Sequence, residues 1–111
     1  MDAPFQLTGD TITFTAATTA PTAVQASSSV SGVATQNYIL TNVGAVPAFV
    51  GWGQTAAEAE RNSVVPTGTA TRCYPLLAGT QVAITAMPNA YFSGDTGSST
   101  AIIYVSPGIG F

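Results

Sequence analysis

The chain has 111 residues, of which 46% are hydrophobic but only 6% charged, against about a quarter charged in an ordinary soluble domain. It has neither lysine nor histidine, and Arg61 and Arg72 face five acids for a net charge of −3. This excludes phosphate-backbone recognition, which needs many Lys and Arg contacts, and chemistry built on a histidine base or lysine nucleophile.

In chain order, the N-terminal Met1-Asp2-Ala3-Pro4 is acidic and lacks the basic-then-apolar pattern of a signal peptide. Thr11-Ile12-Thr13-Phe14-Thr15 alternates with period two, the mark of a half-buried strand. Further short strands are predicted at Ala23–Ala26, Tyr38–Thr41, Ala48–Trp52, Ser63–Val65, Ala70–Tyr74, Gln81–Ala86, Ala90–Phe92 and Thr100–Val105. Turn residues separate them: Thr8-Gly9-Asp10, Asn42-Val43-Gly44, Thr67-Gly68, Ala78-Gly79, Pro88-Asn89, Gly94–Gly97 and Pro107-Gly108. Short strands spaced about 8–12 residues apart predict an all-β sandwich or barrel. The length fits one domain, residues 1–111.

Thr55-Ala56-Ala57-Glu58 breaks this pattern with capping-box spacing, so a short helical turn is expected near Thr55–Arg61. Ala26-Ser27-Ser28-Ser29-Val30-Ser31-Gly32 reads as a small-polar loop. Trp52 stands between Gly51 and Gly53, glycines that imply a bulge or the close approach of another backbone. No apolar run approaches the ~20 residues of a membrane-spanning helix.

Candidate chemistry is sparse. Cys73 is alone, which leaves no internal disulfide and no cysteine zinc site. The missing disulfides point to folding in a reducing cytosol. Asp95-Thr96-Gly97-Ser98 is similar to the aspartic-peptidase loop, in which paired carboxylates share a proton and activate water. Against it, Ser93-Gly94 precedes the aspartate where an apolar strand end is needed, and the chain ends soon after Gly97. A Gly-Asp-Thr-Gly hairpin turn accounts for the same residues. The scattered acids match no calcium loop. The expectation is therefore no enzyme, no cofactor and no metal.

From Tyr38 onward the order of motifs resembles a known family. Thr41-Asn42-Val43-Gly44 leads into Ala48-Phe49-Val50-Gly51-Trp52-Gly53 and an Ala-rich Ala56–Glu60 segment. Pro75-Leu76-Leu77, Ala90-Tyr91-Phe92-Ser93-Gly94 and a last strand ending Val105-Ser106-Pro107-Gly108 follow. This succession is similar to the capsid decoration (cement or staple) proteins of epsilon-fifteen-like short-tailed bacteriophages. The resemblance implies a jelly-roll-like antiparallel sandwich, and about eight predicted strands fit that architecture. It implies a homodimer, favoured over a trimer, bridging neighbouring capsomers on the outer shell of the virion. The major capsid protein would be the partner, and the chain would be made in the bacterial host cytoplasm. It implies no catalysis, no cofactor, no nucleic acid and no membrane. A tail or fibre domain and a carbohydrate-binding sandwich are the other structural readings, since sandwiches host many functions.

The scarcity of charge fits a surface covered by neighbours, because interface cores are depleted in charged residues, and fits equally a neutral, Thr-rich domain that is simply soluble. The expected contact residues are apolar ones near the termini (residues 1–7 and 107–111), where loose apolar side chains need a cover: Pro4, Phe5 and Leu7 at one end, Ile109 and Phe111 at the other; the equal alternative is that each end folds back on its own sandwich as an edge strand. Trp52 is a further candidate, since aromatics anchor interfaces as well as fill cores.

Overall fold

The computed structural model describes residues 6–27, 36–66, 68 and 70–109. Nine strands and one helix follow each other as β1 (Gln6–Leu7), β2 (Ile12–Ala16), β3 (Val24–Gln25), β4 (Gln36–Asn42), β5 (Ala48–Gly53), α1 (Ala56–Asn62), β6 (Tyr74–Leu76), β7 (Gln81–Ala86), β8 (Tyr91–Thr96) and β9 (Ala101–Ile109). Two antiparallel sheets form. In the five-stranded sheet the order is β1-β9-β4-β7, with β2 also on β9; in the four-stranded sheet it is β3-β8-β5-β6.

The pairings β2 with β9, β3 with β8, β4 with β7 and β5 with β6 are those of one long antiparallel ribbon. Rolling that ribbon brings β9 against β4 and β8 against β5, which splits it into two sheets and closes two Greek keys. This is a jelly roll. The strand β1 is an addition, lying end to end with β2 along one side of the nine-residue β9.

Alternation along each strand decides which residues meet between the sheets. Gln36, Tyr38, Leu40 and Asn42 of β4 are buried while Asn37, Ile39 and Thr41 between them are not. In register, Leu40 lies opposite Val105 and Asn42 opposite Ile103, and Phe14 of β2 reaches Ile103 from the other side. Phe92 of the second sheet meets Tyr38 edge-on, ring centroids 5.0 Å apart. The Tyr38 hydroxyl donates to the Met87 carbonyl at 2.7 Å and accepts from the Ala90 amide at 3.2 Å. Burial pushes this phenol above its ordinary value, and the backbone bonds at Ala90 and Asn89 offset part of the rise.

The helix α1 starts as its sequence predicts: the Thr55 side chain accepts from the Glu58 amide, satisfying one of the free donors of the first turn. With seven residues it makes about two turns, the short helical element expected near Thr55–Arg61. It lies on the outer face of the second sheet, where a Cβ on Gly51 would come within 2.6 Å of the Asn62 carbonyl carbon and the Ser63 nitrogen. Gly51 thus serves close packing of another backbone, whereas Gly53 makes room for the Glu58 side chain. The Ser63 hydroxyl fastens the helix end, donating to the Ala59 carbonyl and accepting from the Gly51 amide.

Several expected boundaries move. Ser63–Val65 forms no strand, because Ser63 caps α1. The strand expected at Ala70–Tyr74 lies instead at Tyr74–Leu76, paired with β5. The turn expected at Gly94–Gly97 begins later, since β8 runs through Asp95 and Thr96; Ser99 takes the left-handed conformation after it. Pro107-Gly108 is not a turn either but part of β9.

Candidate interaction surface

The expected contact residues divide. Leu7 and Ile109 are brought together by the pairing of β1 with the end of β9, Gln6 opposite Ile109 and Leu7 opposite Gly108. Directly opposed residues share a sheet face, so Leu7 projects with Gly108 and Ile109 with Gln6, on opposite faces. Leu7 is 62% exposed and Ile109 37%. Trp52 belongs to the other sheet, half-buried against the core with its ring 6.1 Å from that of Phe92. Pro4, Phe5 and Phe111 lie outside the described residues, as does most of the Ala26–Gly32 loop.

The outer face of the five-stranded sheet continues to Leu7 of this pair. Its rows run across four strands. One holds Thr13, Tyr104, Thr41 and Gln81; the next Ser106, Ile39 and Ala83; the next Leu7, Gly108, Asn37 and Thr85. Thr15 and Ile102 form a further pair. None of these residues is charged. Their polar groups bond sideways: Thr11 to Ser106 at 2.9 Å, the Gln81 amide to the Thr41 hydroxyl at 2.9 Å, and the Thr85 hydroxyl to the Asn37 side-chain carbonyl at 3.0 Å. Ile102 and Tyr104 stand open among them, 44% and 39% exposed, with Val43 beside Ile102.

Sequence reasoning passed over Ile102, Tyr104 and Val43. Ile102-Ile103-Tyr104-Val105 is uniformly apolar, so alternation gives no sign of which two face out. Phase comes only from the partner strand, whose alternating Ile12-Thr13-Phe14-Thr15 fixes Ile103 and Val105 inward.

Charge sits elsewhere. Glu58, Glu60 and Arg61 are on α1, Arg72 is exposed ahead of β6, and Asp10 is exposed between β1 and β2. The Glu60 carboxylate accepts the Ala23 amide at 3.0 Å, tying the helix to the segment before β3. Asp95 is opposite Phe49 within the second sheet, and its Oδ1 is buried with no hydrogen-bond partner. Among the described residues no three of Cys, Asp and Glu gather closely enough to hold a metal ion, and no helix is long and apolar enough to cross a membrane. No protein-family model, curated protein or solved structure matches the chain.

One sheet face is thus neutral and laterally satisfied, while helix, loops and the other sheet carry the described charge. Such a face has no long flexible charged side chains to immobilise and no ions to desolvate when something covers it. It suits broad contact with another protein rather than capture of a small charged ligand.

Proposed function

We propose that this chain is a noncatalytic decoration protein of a bacteriophage capsid, acting as a homodimer on the outer surface of the assembled shell. It clamps neighbouring copies of the major capsid protein against internal DNA pressure. The observation that carries the reading is the uncharged outer face of the five-stranded sheet, with Ile102 and Tyr104 open at its centre. The resemblance of the motifs from Tyr38 onward supports it, as does the jelly-roll order of the strands.

The mechanism is linkage. A clip that binds the expanded shell and not its precursor stabilises the expanded state by its differential affinity. Repeated over the lattice, two-headed clips act as multivalent cross-links whose avidity exceeds that of one contact. Apolar and neutral hydrogen-bonded contacts are screened little by salt.

Purified particles carrying the protein, washed in about 1 M salt, are expected to keep it and to release DNA at a higher temperature than stripped particles. Tyr104→Asp is expected to leave the fold intact and to lose shell binding, because it buries an unpaired charge. Wholesale release in salt, or shell binding unaffected by Tyr104→Asp, overturns the proposal.

A further inference from the structure

Sheet edges carry unpaired backbone groups, and proteins blunt them with short strands, proline, charge or a covering segment. Three edges here are blunted. In the second sheet, β6 is three residues long with Pro75 at its centre, and β3 is two residues long, with the amide before it taken by Glu60. In the first sheet, β2 turns onto the second at its end, where Ala17 bridges to Asp95 and its carbonyl accepts the Thr96 amide at 2.9 Å.

The fourth edge is β7. It runs Gln81-Val82-Ala83-Ile84-Thr85-Ala86 without proline, glycine or charge, and among the described residues β4 alone pairs with it. Its core-facing residues Val82 and Ile84 remain half-exposed. The free groups can be assigned. Asn42 donates to the Thr80 carbonyl and accepts from the Gly79 amide, so the even-numbered residues of β4 face β7. Antiparallel alternation then makes Leu40 with Val82 and Tyr38 with Ile84 the bond-exchanging pairs. The N–H and C=O groups of Gln81, Ala83 and Thr85 point to the open side.

We infer that a second copy of this chain covers this edge, β7 pairing antiparallel with its twin about a twofold axis at Ala83. The inference rests on the homodimer of the proposed function and supplies its contact. In this register Ala83 meets Ala83 of the second copy and Gln81 meets Thr85. The three open-side residues of each strand bond one another, making about six new ladder hydrogen bonds. Val82 of one copy meets Ile84 of the other on the core-facing side, covering two half-exposed apolar side chains. The strand suits itself: the central residue is the small alanine, and an isologous contact matches each residue with its counterpart. No charge in β7 or in the adjoining rows of β4 opposes a like charge across the axis, although the chain carries −3 overall. The two five-stranded sheets become one continuous sheet with its neutral outer face uninterrupted.

The test is the mass of the free, full-length chain at micromolar concentration by sedimentation velocity, with no shell present. The wild type is expected at twice the chain mass. Ala83→Pro removes an open-side N–H and no bond to β4, and is expected at the single-chain mass with an unchanged circular dichroism spectrum. Ala83→Lys sets like charges face to face and is expected to weaken pairing about fivefold in dilute salt; it serves if the proline variant fails to fold. A single-chain wild type, or variants that pair as tightly as wild type, overturns the inference. So does a single-chain wild type whose shell binding Ala83→Pro abolishes, because the edge then takes a strand from the shell. A dimer dissolved by these variants that never binds shells leaves the inference standing and removes the capsid reading instead.

Discussion

The two long margins of the sandwich are finished in different ways. On the β2–β3 side the chain closes the gap itself, bridging Ala17 to Asp95 and bonding the Ala26 amide to the Ala90 carbonyl at 2.9 Å. Phe14, Ala16 and Ala26 are buried there. On the β6–β7 side the described residues are joined by the turn around Gly79 and by the Asn42 side-chain amide, which donates to the Leu76 carbonyl at 3.0 Å, and Val82, Ile84 and Tyr74 keep contact with solvent. The closed margin shows that this chain excludes water there with backbone crossings, to which the Glu60 carboxylate adds a bond from the Ala23 amide. At the open margin no backbone bond among the described residues joins β7 to the other sheet, and β7 carries no charge, a combination expected of an edge that another strand completes.

The largest expected effect separates the margins by stability. Phe14→Ala removes a buried ring wedged between Ile103 and Gly94 and is expected to cost about 3–5 kcal/mol in urea unfolding. Ile84→Ala, half-exposed on β7, is expected to cost about 1–2 kcal/mol in dilute single-chain form. Its cost grows with protein concentration if pairing buries it, since a partner that binds only the folded state adds to stability by mass action. Equal costs at the two positions would remove the distinction between the margins.

Midway between the margins, Tyr38→Phe is expected to cost about 1–3 kcal/mol, because the Met87 carbonyl loses its donor and the Ala90 amide its acceptor. The same residue gives a pH signature. Its phenol is raised by burial in the folded chain, so the folded state favours the protonated form. Its contribution is fully present below the ordinary tyrosine value of about 10 and is lost as pH rises through the higher folded value. Denaturation midpoints of the wild type should therefore fall on the alkaline side more steeply than those of Tyr38→Phe. Parallel curves would mean that the hydroxyl is not buried.

At the closed margin, a methyl group reports how tightly the crossing is packed. A Cβ on Gly94 would sit 3.0 Å from the Phe14 ring and 3.2 Å from the Ala16 methyl, whereas one on Gly97 meets nothing within 4 Å. Gly94→Ala is expected to cost about 1–2 kcal/mol, and Gly97→Ala to stay within about 0.5 kcal/mol of wild type. Comparable costs at both would show that the β8 end is not pressed against β2.

What the sequence made legible follows from where information is local. Ile12-Thr13-Phe14-Thr15 alternates, and it forms β2; Gln81–Ala86 is bounded by turns at Gly79 and Asn89, and it forms β7 as expected. Thr55 and Glu58 announce the helix through a contact three residues apart. Pro107 misleads because its tolerance is a tertiary fact. The Val43 amide donates to the Ile102 carbonyl, so even-numbered residues of β9 bond to β4 and odd-numbered ones face β2. Pro107 therefore lacks its N–H on the side where β2 has ended and β1 not yet begun, and its carbonyl accepts the Thr8 amide. The candidate surface was half-visible for a similar reason. Leu7 and Ile109 could be picked out as apolar residues near the ends, but their pairing, and the neutral rows beside Leu7, exist only once β9 joins β1, β2 and β4.

The smallest effect is the most local, and stability measurements do not register it. In wild type diluted well below the concentration at which two copies pair, amides of β7 should alternate in hydrogen exchange. Val82 and Ile84 donate to β4 and open only with the sheet, so their exchange is slow; position 83 and Thr85 face solvent and exchange early. Wild type at concentrations where two copies pair should lose the alternation, because Ala83 and Thr85 then donate across the axis. The slowing is confined to the odd positions, since Val82 and Ile84 already have partners. Alternation persisting in the paired wild type would place the contact elsewhere, and slow exchange at Thr85 in the single-chain form would mean that the molecule covers its own edge.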